Sequence, residues 1–300
     1  MDKNFRGRLL PNQPLAPYTS WRVGGPADAV YIPADSDDLA LFLKQLPPET
    51  PVYWLGLGSN TLIRDGGIEG IVIVTQSSLN KLSESSFSPL TVRAETGVSC
   101  GQLARYSARL SLQGIEFMAG IPGTVGGALA MNAGCYGGET WQFVSHVETI
   151  NRLGEKKIRP ATDFEIGYRH VNKANDEWFI AGHFQLTHGD KAASLEKIRQ
   201  LLEKRNASQP TGLPNCGSVF RNPPENFAAR LIEQSGLKGL KKGGAVVSHK
   251  HANFIINEGE AKASDIEALV EEIIAIVEDK FSIRLTPEVC IVGKTIEERA

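Results

Sequence analysis

The stretch from Gly114 to Gly138 reads GIEFMAGIPGTVGGALAMNAGCYGG and holds eight glycines. Glycine loses more conformational freedom on folding than any other residue, so this density is unfavourable in a core helix or strand. Consecutive N–H groups in turn conformations can form a concave anion site, which requires close approach of the backbone to a ligand. Apolar residues such as Phe117, Ile121 and Val125 argue against a flexible surface loop. We therefore predict a loop that holds a phosphate or a cofactor.

A second glycine-rich turn, GLGSN, follows the apolar run PVYWL and extends from Gly56 to Asn60. The dinucleotide fingerprint G-x-G-x-x-G would need a third glycine at the position of Thr61, and no helical pattern follows. A Rossmann fold is therefore rejected. Gly293-Lys294-Thr295 is not a P-loop either, because Glu288 stands where that motif has its first glycine. Two glycine-rich turns in one half of the chain predict an extended ligand with two phosphates, a dinucleotide bound without a Rossmann fold.

Hydrophobic periodicity predicts alternating strands and helices. In the first half we expect helices capped at Asp35 or Ser36 and at Ser99, and strands at 30–32, 51–58, 70–75, 90–96, 144–151, 155–159 and 178–187. In the second half we expect a helix at 227–234, a strand at 253–257 and a long helix that begins with the capping box Ser264-x-x-Glu267. A change of domain is expected near residues 190–205.

The composition is that of an ordinary globular protein, with 300 residues, 41% hydrophobic, 22% charged and a formal net charge of -2. No run of Lys and Arg exceeds two residues, so nucleic acid is not an expected partner. The chain has no apolar run long enough for a membrane span and no signal-peptide pattern, which predicts a cytoplasmic protein. The four cysteines are scattered without metal-ligand spacing, which predicts reduced thiols and no metal site.

Three residues could carry chemistry, although each also has a structural explanation. Ser218 follows a glycine in a turn, Arg169 follows Tyr168, and Glu288 lies between a proline and a valine near the C-terminus. They could equally be a turn serine, a surface arginine and a strand-edge carboxylate. The sequence has no G-x-S-x-G motif, which argues against a hydrolase serine.

Seven motifs in chain order give the sequence a family resemblance: TSWRVGGPA, GLGSN, GIEFMAGIPGTVGGALAMNAGCYG, GYR, NCGSVFRNP, SGLKGLKKGGAVVSHKHANFIIN and TPEV. Along nearly its whole length the chain resembles the bacterial UDP-N-acetylenolpyruvoylglucosamine reductases. The resemblance implies an α+β protein, with a vanillyl-alcohol-oxidase/PCMH-type FAD-binding fold and a smaller α/β substrate-binding domain. The short connection from Tyr168 to the helix at Leu195 resembles the shorter, type II class of the family.

The implied domains are an FAD-binding region at 1–195, with subdomains at about 1–76 and 77–195, and a substrate-binding domain at 196–300. A return of the C-terminal end to the FAD region is left open. The implied reaction is the NADPH-dependent reduction, through non-covalent FAD, of the enolpyruvyl ether of UDP-N-acetylglucosamine to UDP-N-acetylmuramate. This is a cytoplasmic step of peptidoglycan precursor synthesis, and hence of cell wall biogenesis, cell shape and division. The expected partners are that UDP-sugar and NADPH, with no nucleic acid or membrane, and the expected state is a monomer.

The resemblance also implies roles for individual residues. Ser218 would be the proton donor, with Arg169 and Glu288 as its catalytic partners. The substrate would be bound by Tyr168, Asn222, Lys238 and His251. The FAD would be held by Gly56, Gly58, Ser59, Asn60, Gly120, Ile121, Pro122, Gly123, Thr124, Gly126 and Gly127. GLGSN contains no histidine, so a covalent flavin linkage at this turn is not expected, and no role is assigned to His170.

The chemistry agrees with these roles. Hydride addition to the β-carbon of the enolpyruvyl group moves negative charge into its carboxylate, and Arg169 can stabilise that charge. Ser218 is a weak acid that would need a polarised setting to protonate the α-carbon. Glu288 could orient the intermediate or act as an acid, and both remain open. Two other interpretations compete: a flavin-dependent oxidase of the same cofactor fold, and a non-catalytic nucleotide-sugar binding module.

Overall fold

The computed structural model describes residues 5–299. The helices in this part of the chain are α1 (Ser36–Gln45), α2 (Cys100–Arg109), α3 (Val125–Met131), α4 (Lys191–Ser208), α5 (Ala228–Gln234), α6 (Ala263–Phe281) and α7 (Ile296–Arg299). Its strands are β1 (Arg8–Pro14), β2 (Pro26–Ile32), β3 (Val52–Leu55), β4 (Thr61–Ile63), β5 (Ile68–Val74), β6 (Leu82–Glu84), β7 (Thr91–Glu95), β8 (Leu112–Gln113), β9 (Gly134–Cys135), β10 (Gly138–Glu139), β11 (Val144–Asn151), β12 (Lys156–Pro160), β13 (Glu165–Gly167), β14 (His170–Asn172), β15 (Glu177–Gln185), β16 (Thr187–His188), β17 (Lys241–Lys242), β18 (Ala245–Val247), β19 (Ile255–Asn257) and β20 (Cys290–Val292). The predicted alternation of strands and helices is confirmed.

Among the described residues, the two largest sheets contain nine of the twenty strands. The larger has five antiparallel strands in the order β12-β11-β15-β7-β6. The other has the order β1-β2-β5-β3, and β3 runs parallel to β5. A smaller antiparallel sheet of β17, β18 and β19 lies in the C-terminal part of the chain.

The described chain divides into two compact units. Unit 1 comprises residues 5–10, Val30–Leu57 and Ile71–Lys204, and unit 2 comprises Pro11–Ala29, Gly58–Gly70 and the chain from Arg205 onwards. The last crossing, after Lys204, lies in the range where a change of domain is expected. The functional ranges 1–195 and 196–300 stay a prediction, since compactness of the backbone does not test which residues bind a given ligand.

Unit 1 contains two helices whose N-termini follow the predicted caps. Asp35 Oδ1 accepts hydrogen bonds from the N–H groups of Asp37 and Asp38, at 3.1 and 2.9 Å. Ser99 forms a capping box with Gln102 at the start of α2. Each cap satisfies N–H groups that have no partner inside the helix, so both predicted helix starts are confirmed.

Unit 2 is built around α6, whose buried stripe includes Ile266, Leu269, Val270, Ile273 and Val277. This core stripe was expected from the helical spacing of the apolar residues.

The predicted capping box at Ser264 is wrong, because this serine lies inside α6 and the helix begins one residue earlier. The carboxylate of Asp65 accepts hydrogen bonds from the N–H groups of Ala263 and Ser264, at 2.9 and 3.0 Å. Asp65 is far away in sequence, so a tertiary contact supplies the cap that local sequence was expected to supply.

The N-terminal motif TSWRVGG also lies in unit 2. Trp21 is fully buried there, and its indole Nε1 donates to the carbonyl oxygen of Ile255 at 2.8 Å. The side-chain amide of Asn257 donates to the carbonyl oxygen of Trp21 at 2.8 Å. Two motifs that are more than 200 residues apart therefore form one buried contact.

Within residues 5–299, no helix combines the length and apolar character needed to cross a bilayer.

Candidate active site

The glycine-rich stretch is more regular than predicted. It contains a 3₁₀ turn at Glu116–Gly120, the helix α3 and the hairpin of β9 and β10. The prediction of a loop is therefore wrong for Val125–Met131, which is helical. A Cβ atom at Gly126 would lie 1.7 Å from Thr96 Oγ1, and one at Gly138 would lie 2.6 Å from the ring of Phe117. These glycines permit close packing within unit 1, which is a second reason for their density.

Main-chain hydrogen bonds fix the start of α3 against the turn before α2. The N–H groups of Val125 and Gly126 donate to the carbonyl oxygens of Val98 and Thr96, at 2.8 and 2.9 Å. These two donors are therefore already used inside the protein. A bound diphosphate would have to use other groups of the stretch.

One such group is the hydroxyl of Thr124. Its Oγ1 is buried and has no hydrogen-bond partner among the described residues. A Cβ atom at Gly56 would lie 2.4 Å from this oxygen, so the two glycine-rich turns meet in unit 1. Gly127, in the first turn of α3, is exposed, and a Cβ atom there would meet nothing within 4 Å. An unsatisfied buried hydroxyl beside an open glycine surface fits a bound dinucleotide such as FAD.

The rest of the GLGSN turn lies in unit 2. Gly58 has φ of +62°, and a Cβ atom there would lie 2.5 Å from the carbonyl oxygen of Tyr18, so only glycine fits. Asn60 accepts a hydrogen bond from the N–H of Cys290 at 2.9 Å. Its side-chain amide donates to the carbonyl oxygen of Glu288 at 3.0 Å. The end of the predicted cofactor turn is thus bonded to the segment that carries a predicted catalytic residue.

Arg169 occupies a two-residue turn between β13 and β14 in unit 1. Its φ of 52° lies in the left-handed region, which is unfavourable for a residue with a side chain and is often found at functional sites. The guanidinium donates to the carbonyl oxygen of Gly134 at 3.1 Å and lies over the ring of Tyr168, 5.0 Å from its centroid. The backbone therefore holds the Arg169 side chain against the glycine-rich stretch.

Asn132 helps to position this turn, and the sequence analysis did not identify it. It ends α3 in the left-handed conformation, with φ of 44°. Its amide nitrogen donates to the carbonyl oxygen of Gly167 at 3.2 Å, and its Oδ1 accepts from the N–H of Trp141 at 3.1 Å. An asparagine directly after a glycine-rich helix was the available signal, because asparagine tolerates the left-handed C-terminal cap.

Ser218 and Glu288 lie on two neighbouring extended segments of unit 2. The N–H of Glu288 donates to the carbonyl oxygen of Val219 at 2.7 Å, and Phe220 and Pro287 form an antiparallel bridge. Ser218 and Glu288 are each partly buried. The structure therefore brings together two of the three predicted catalytic residues, which are 70 positions apart in sequence.

The segment after Ser218 is locked by Asn253, which the sequence analysis also missed as a positioning residue. The carbonyl oxygen of Asn253 accepts from the N–H of Val219 at 2.9 Å. Its buried side chain then pairs with the backbone of Phe220 on both sides, with Oδ1 accepting at 2.9 Å and Nδ2 donating at 2.8 Å. Such complete pairing of a buried amide leaves Val219 and Phe220 little freedom, and Ser218 precedes them directly.

The predicted substrate ligands of unit 2 surround α5. Lys238 pairs with Glu233 of this helix. Burial and the nearby Lys238 cation lower the pKa of His251, which favours its neutral form. The Oδ1 atom of Asn222 accepts from the N–H of Ala228 at 3.1 Å, so this oxygen is already used as a helix cap. The amide nitrogen of Asn222 and the second lone pair of Oδ1 are left to bind a substrate.

The predicted site residues are divided between the two units. Unit 1 carries Gly56, Tyr168, Arg169, Gly120, Ile121, Pro122, Gly123, Thr124, Gly126 and Gly127. Unit 2 carries Gly58, Ser59, Asn60, Ser218, Asn222, Lys238, His251 and Glu288. Tyr168 is 55% exposed, which leaves its ring accessible.

Two family models match the chain. Residues 27–157 match the model described as "FAD binding domain", and residues 209–292 match "UDP-N-acetylenolpyruvoylglucosamine reductase, C-terminal domain". A UDP-N-acetylenolpyruvoylglucosamine reductase of Legionella pneumophila (strain Corby) is 58% identical over 289 residues, which cover 96% of this chain and 93% of the relative. The reductase of Methylococcus capsulatus is 54% identical over 289 residues, covering 96% of this chain and 94% of the relative.

A solved structure is also similar. The crystal structure of UDP-N-acetylenolpyruvylglucosamine reductase from Thermus caldophilus aligns with a TM-score of 0.81 and 29% identity, covering 96% of this chain and 99% of that one. Fold and site therefore define an FAD-containing oxidoreductase, with a vanillyl-alcohol-oxidase-type FAD-binding fold and a smaller α/β domain. The chain belongs to the UDP-N-acetylenolpyruvoylglucosamine reductase family. The family resemblance of the motifs is confirmed, and the interpretation as a non-catalytic module is set aside.

Two neighbouring glycines allow packing and cofactor binding to be tested separately. Gly126→Ala should destabilise the FAD-free protein by about 1–3 kcal/mol, because the new Cβ would overlap Thr96. Gly127→Ala should keep or raise the stability by up to about 1 kcal/mol, because alanine favours the helix and meets no atom. If FAD lies against this open surface, Gly127→Ala should nevertheless weaken FAD binding by about tenfold or more.

Thermal unfolding of the FAD-free variants and titration with FAD would measure the two effects. Wild-type affinity in Gly127→Ala would show that the open surface at this glycine does not face the cofactor.

Proposed function

We propose that this protein reduces the enolpyruvyl ether of UDP-N-acetylglucosamine to UDP-N-acetylmuramate, with NADPH as the hydride source and FAD as the bound carrier. The reaction would supply a peptidoglycan precursor. The observation that carries the proposal is the pairing of the Ser218 and Glu288 segments through the 2.7 Å hydrogen bond from Glu288 N–H to Val219. We also propose that the reaction takes place in the cytoplasm, since NADPH is a cytoplasmic reductant. A monomeric state stays a prediction.

The residues proposed to hold FAD are those of the two glycine-rich turns. Thr124 offers an unpaired buried hydroxyl, Gly127 an open surface, and the turn from Gly56 to Asn60 further main-chain groups. When bound, FAD would accept hydride from NADPH and pass it to the second substrate.

Arg169 is proposed to stabilise the negative charge that develops on the substrate. Once hydride has reached the β-carbon of the enolpyruvyl group, charge moves into the adjacent carboxylate. A guanidinium forms strong, charge-assisted hydrogen bonds with such a group. The hydrogen bond to Gly134 and the contact with Tyr168 support this role, because they hold Arg169 in one orientation before substrate binds.

Ser218 is proposed to donate the proton that completes the reaction at the α-carbon. The paired segments and Asn253 support this role by fixing the backbone next to the hydroxyl. Glu288 is proposed to act beside it, either by orienting the intermediate or by acting as an acid.

The remaining polar residues are proposed to recognise the nucleotide sugar. Lys238 would contact the phosphates of the nucleotide sugar. The positive charge of Lys238 also helps to lower the pKa of His251. Asn222 would contribute its amide nitrogen, Tyr168 its exposed ring and His251 its neutral imidazole. Each of these residues is accessible at least in part.

A spectrum and one anaerobic experiment test the proposed function. The purified protein should be yellow and should release FAD on denaturation. NADPH alone should bleach the flavin absorbance under anaerobic conditions, and UDP-N-acetylglucosamine enolpyruvate should then restore it rapidly. Because each substrate meets the same flavin in turn, steady-state kinetics should be ping-pong with substrate inhibition.

The control for this experiment is oxygen. If air restores the absorbance as fast as the enolpyruvyl UDP-sugar does, the flavin oxidase alternative is correct and the proposed reductase is not. UDP-N-acetylglucosamine itself lacks the double bond and should restore nothing.

A further inference from the structure

Arg221 lies next to the proposed active site, within the motif NCGSVFRNP, and has no role in the proposed mechanism. It follows Ser218 by three residues. Its main-chain N–H donates to the carbonyl oxygen of Thr286 at 2.9 Å, as part of the pairing that brings Ser218 and Glu288 together. The backbone at Arg221 is therefore fixed, and its side chain begins beside the reacting groups.

Two partly buried arginines of the described chain, Arg152 and Arg221, keep a buried guanidinium nitrogen without a partner, but Nη2 of Arg152 donates to the carbonyl oxygens of Pro47 and Thr50. The Nε atom of Arg221 is buried and finds no hydrogen-bond partner within residues 5–299. Arg64 pairs with Glu267 and Arg159 pairs with Glu177, at 2.7 and 2.6 Å. A buried N–H of a cation without an acceptor is unfavourable, and native proteins rarely keep one without a reason.

Arg221 lies near a cysteine thiol and a predicted catalytic carboxylate. The pKa of the Cys290 thiol is raised, chiefly because its sulfur is partly desolvated; the nearby Arg221 cation opposes this shift and the Glu288 carboxylate adds to it. The side-chain amide of Asn60 lies 4.0 Å from the sulfur of Cys290. Arg221 is thus close to the end of the predicted cofactor turn and to a predicted catalytic carboxylate.

We propose that Arg221 is an anion-binding residue of this site, whose guanidinium receives a phosphoryl or carboxylate oxygen of the bound cofactor or substrate. The inference rests on the proposed function. The planar guanidinium matches the geometry of both oxyanions and gains a charge-assisted hydrogen bond to either. Within residues 5–299 the protein itself supplies no acceptor for Nε.

This proposal predicts two effects of Arg221→Met, an unchanged or higher stability and a weaker binding of the ligand. The substitution removes an unpaired buried donor, so the FAD-free protein should unfold at the same temperature as wild type or higher. Binding should nevertheless weaken by about 10- to 100-fold, as expected for the loss of a hydrogen bond to a charged group. A merely structural arginine would give the opposite result, a lower unfolding temperature with unchanged binding.

Two measurements on each variant identify the source of the oxyanion. A rise in the FAD dissociation constant, with an unchanged KM for the enolpyruvyl UDP-sugar, would assign it to the cofactor. A rise in that KM, with unchanged FAD affinity, would assign it to the substrate. Arg221→Lys keeps the positive charge but loses the planar guanidinium with its paired donors. Its binding constants should therefore lie between those of wild type and Arg221→Met.

Arg284→Met is the matched control, because Arg284 is an exposed arginine of unit 2 that pairs with Glu278. It should leave both binding constants unchanged.

Labelling of Cys290 with iodoacetamide gives a readout that needs no substitution. If Arg221 binds the ligand, FAD or the UDP-sugar should slow the alkylation of Cys290. The extent of alkylation is measured by mass spectrometry of the peptide that contains Cys290. Wild-type binding constants in Arg221→Met, or no protection of Cys290 by either ligand, would overturn the inference while the wild-type enzyme still works. A wild-type protein that neither binds FAD nor reduces the UDP-sugar would overturn the proposed function, and with it this inference.

Discussion

Replacement of Ser218 by alanine is expected to lower turnover of the enolpyruvyl UDP-sugar by about 10²- to 10⁴-fold, the loss typical of a positioned general acid. FAD binding and flavin reduction by NADPH should remain nearly normal, because neither step needs the proton of Ser218. Ser218→Cys keeps a transferable proton and should recover part of the activity. Rapid mixing, with the reductive and oxidative half-reactions followed separately, measures the difference.

Ser264→Ala is the matched control for this experiment, since it deletes an exposed hydroxyl of the same unit at the start of α6. It should change neither half-reaction. A turn serine without a catalytic role would, when replaced, cost about 1 kcal/mol of stability and little activity. A normal oxidative half-reaction in Ser218→Ala would therefore remove this residue from the mechanism.

The second large effect is expected at Arg169. Arg169→Met should lower kcat by about 10²- to 10³-fold, because it removes a preorganised cation from the developing negative charge. Arg169→Gly should cause a similar loss of activity but raise the stability of the protein by about 1 kcal/mol, since glycine adopts the left-handed conformation without strain. Single-turnover kinetics and thermal unfolding measure the two quantities.

Arg159→Met should behave in the opposite way. This arginine pairs with Glu177 at 2.6 Å and lies over the ring of Phe164, within the five-stranded sheet of unit 1. Its loss should lower the unfolding temperature and leave kcat unchanged. If Arg169→Gly lowered both stability and activity, the strained turn would be a structural feature and not a catalytic one.

Local sequence was sufficient wherever local forces decide the structure. The cap at Asp35, the capping box at Ser99 and the core stripe of α6 were all predictable, because each depends on residues within a few positions of one another. The motifs were also sufficient to identify the family. Arg169, Ser218 and Glu288 were singled out as candidates in this way, and their catalytic roles stay proposals.

Tertiary contacts decided what local sequence could not. Asp65 caps α6 from about 200 positions away, so the start of that helix was mispredicted at Ser264. The glycines at 126 and 138 are needed for close packing, because a Cβ atom there would overlap Thr96 and Phe117, and neither neighbour can be read from local sequence.

By itself, the sequence determined the alternation of strands and helices, the helix caps at Asp35 and Ser99, the absence of a Rossmann fingerprint and the family. Only the tertiary structure decided that TSWRVGG joins the C-terminal core through Trp21, that Asn132 and Asn253 hold the turns beside Arg169 and Ser218, and that Arg221 keeps an unpaired buried nitrogen. The physical reason is the separation along the chain of the residues that interact. Caps and periodic stripes arise from neighbours along the chain, whereas buried amides and cations are satisfied, or left unsatisfied, by groups that only folding brings together.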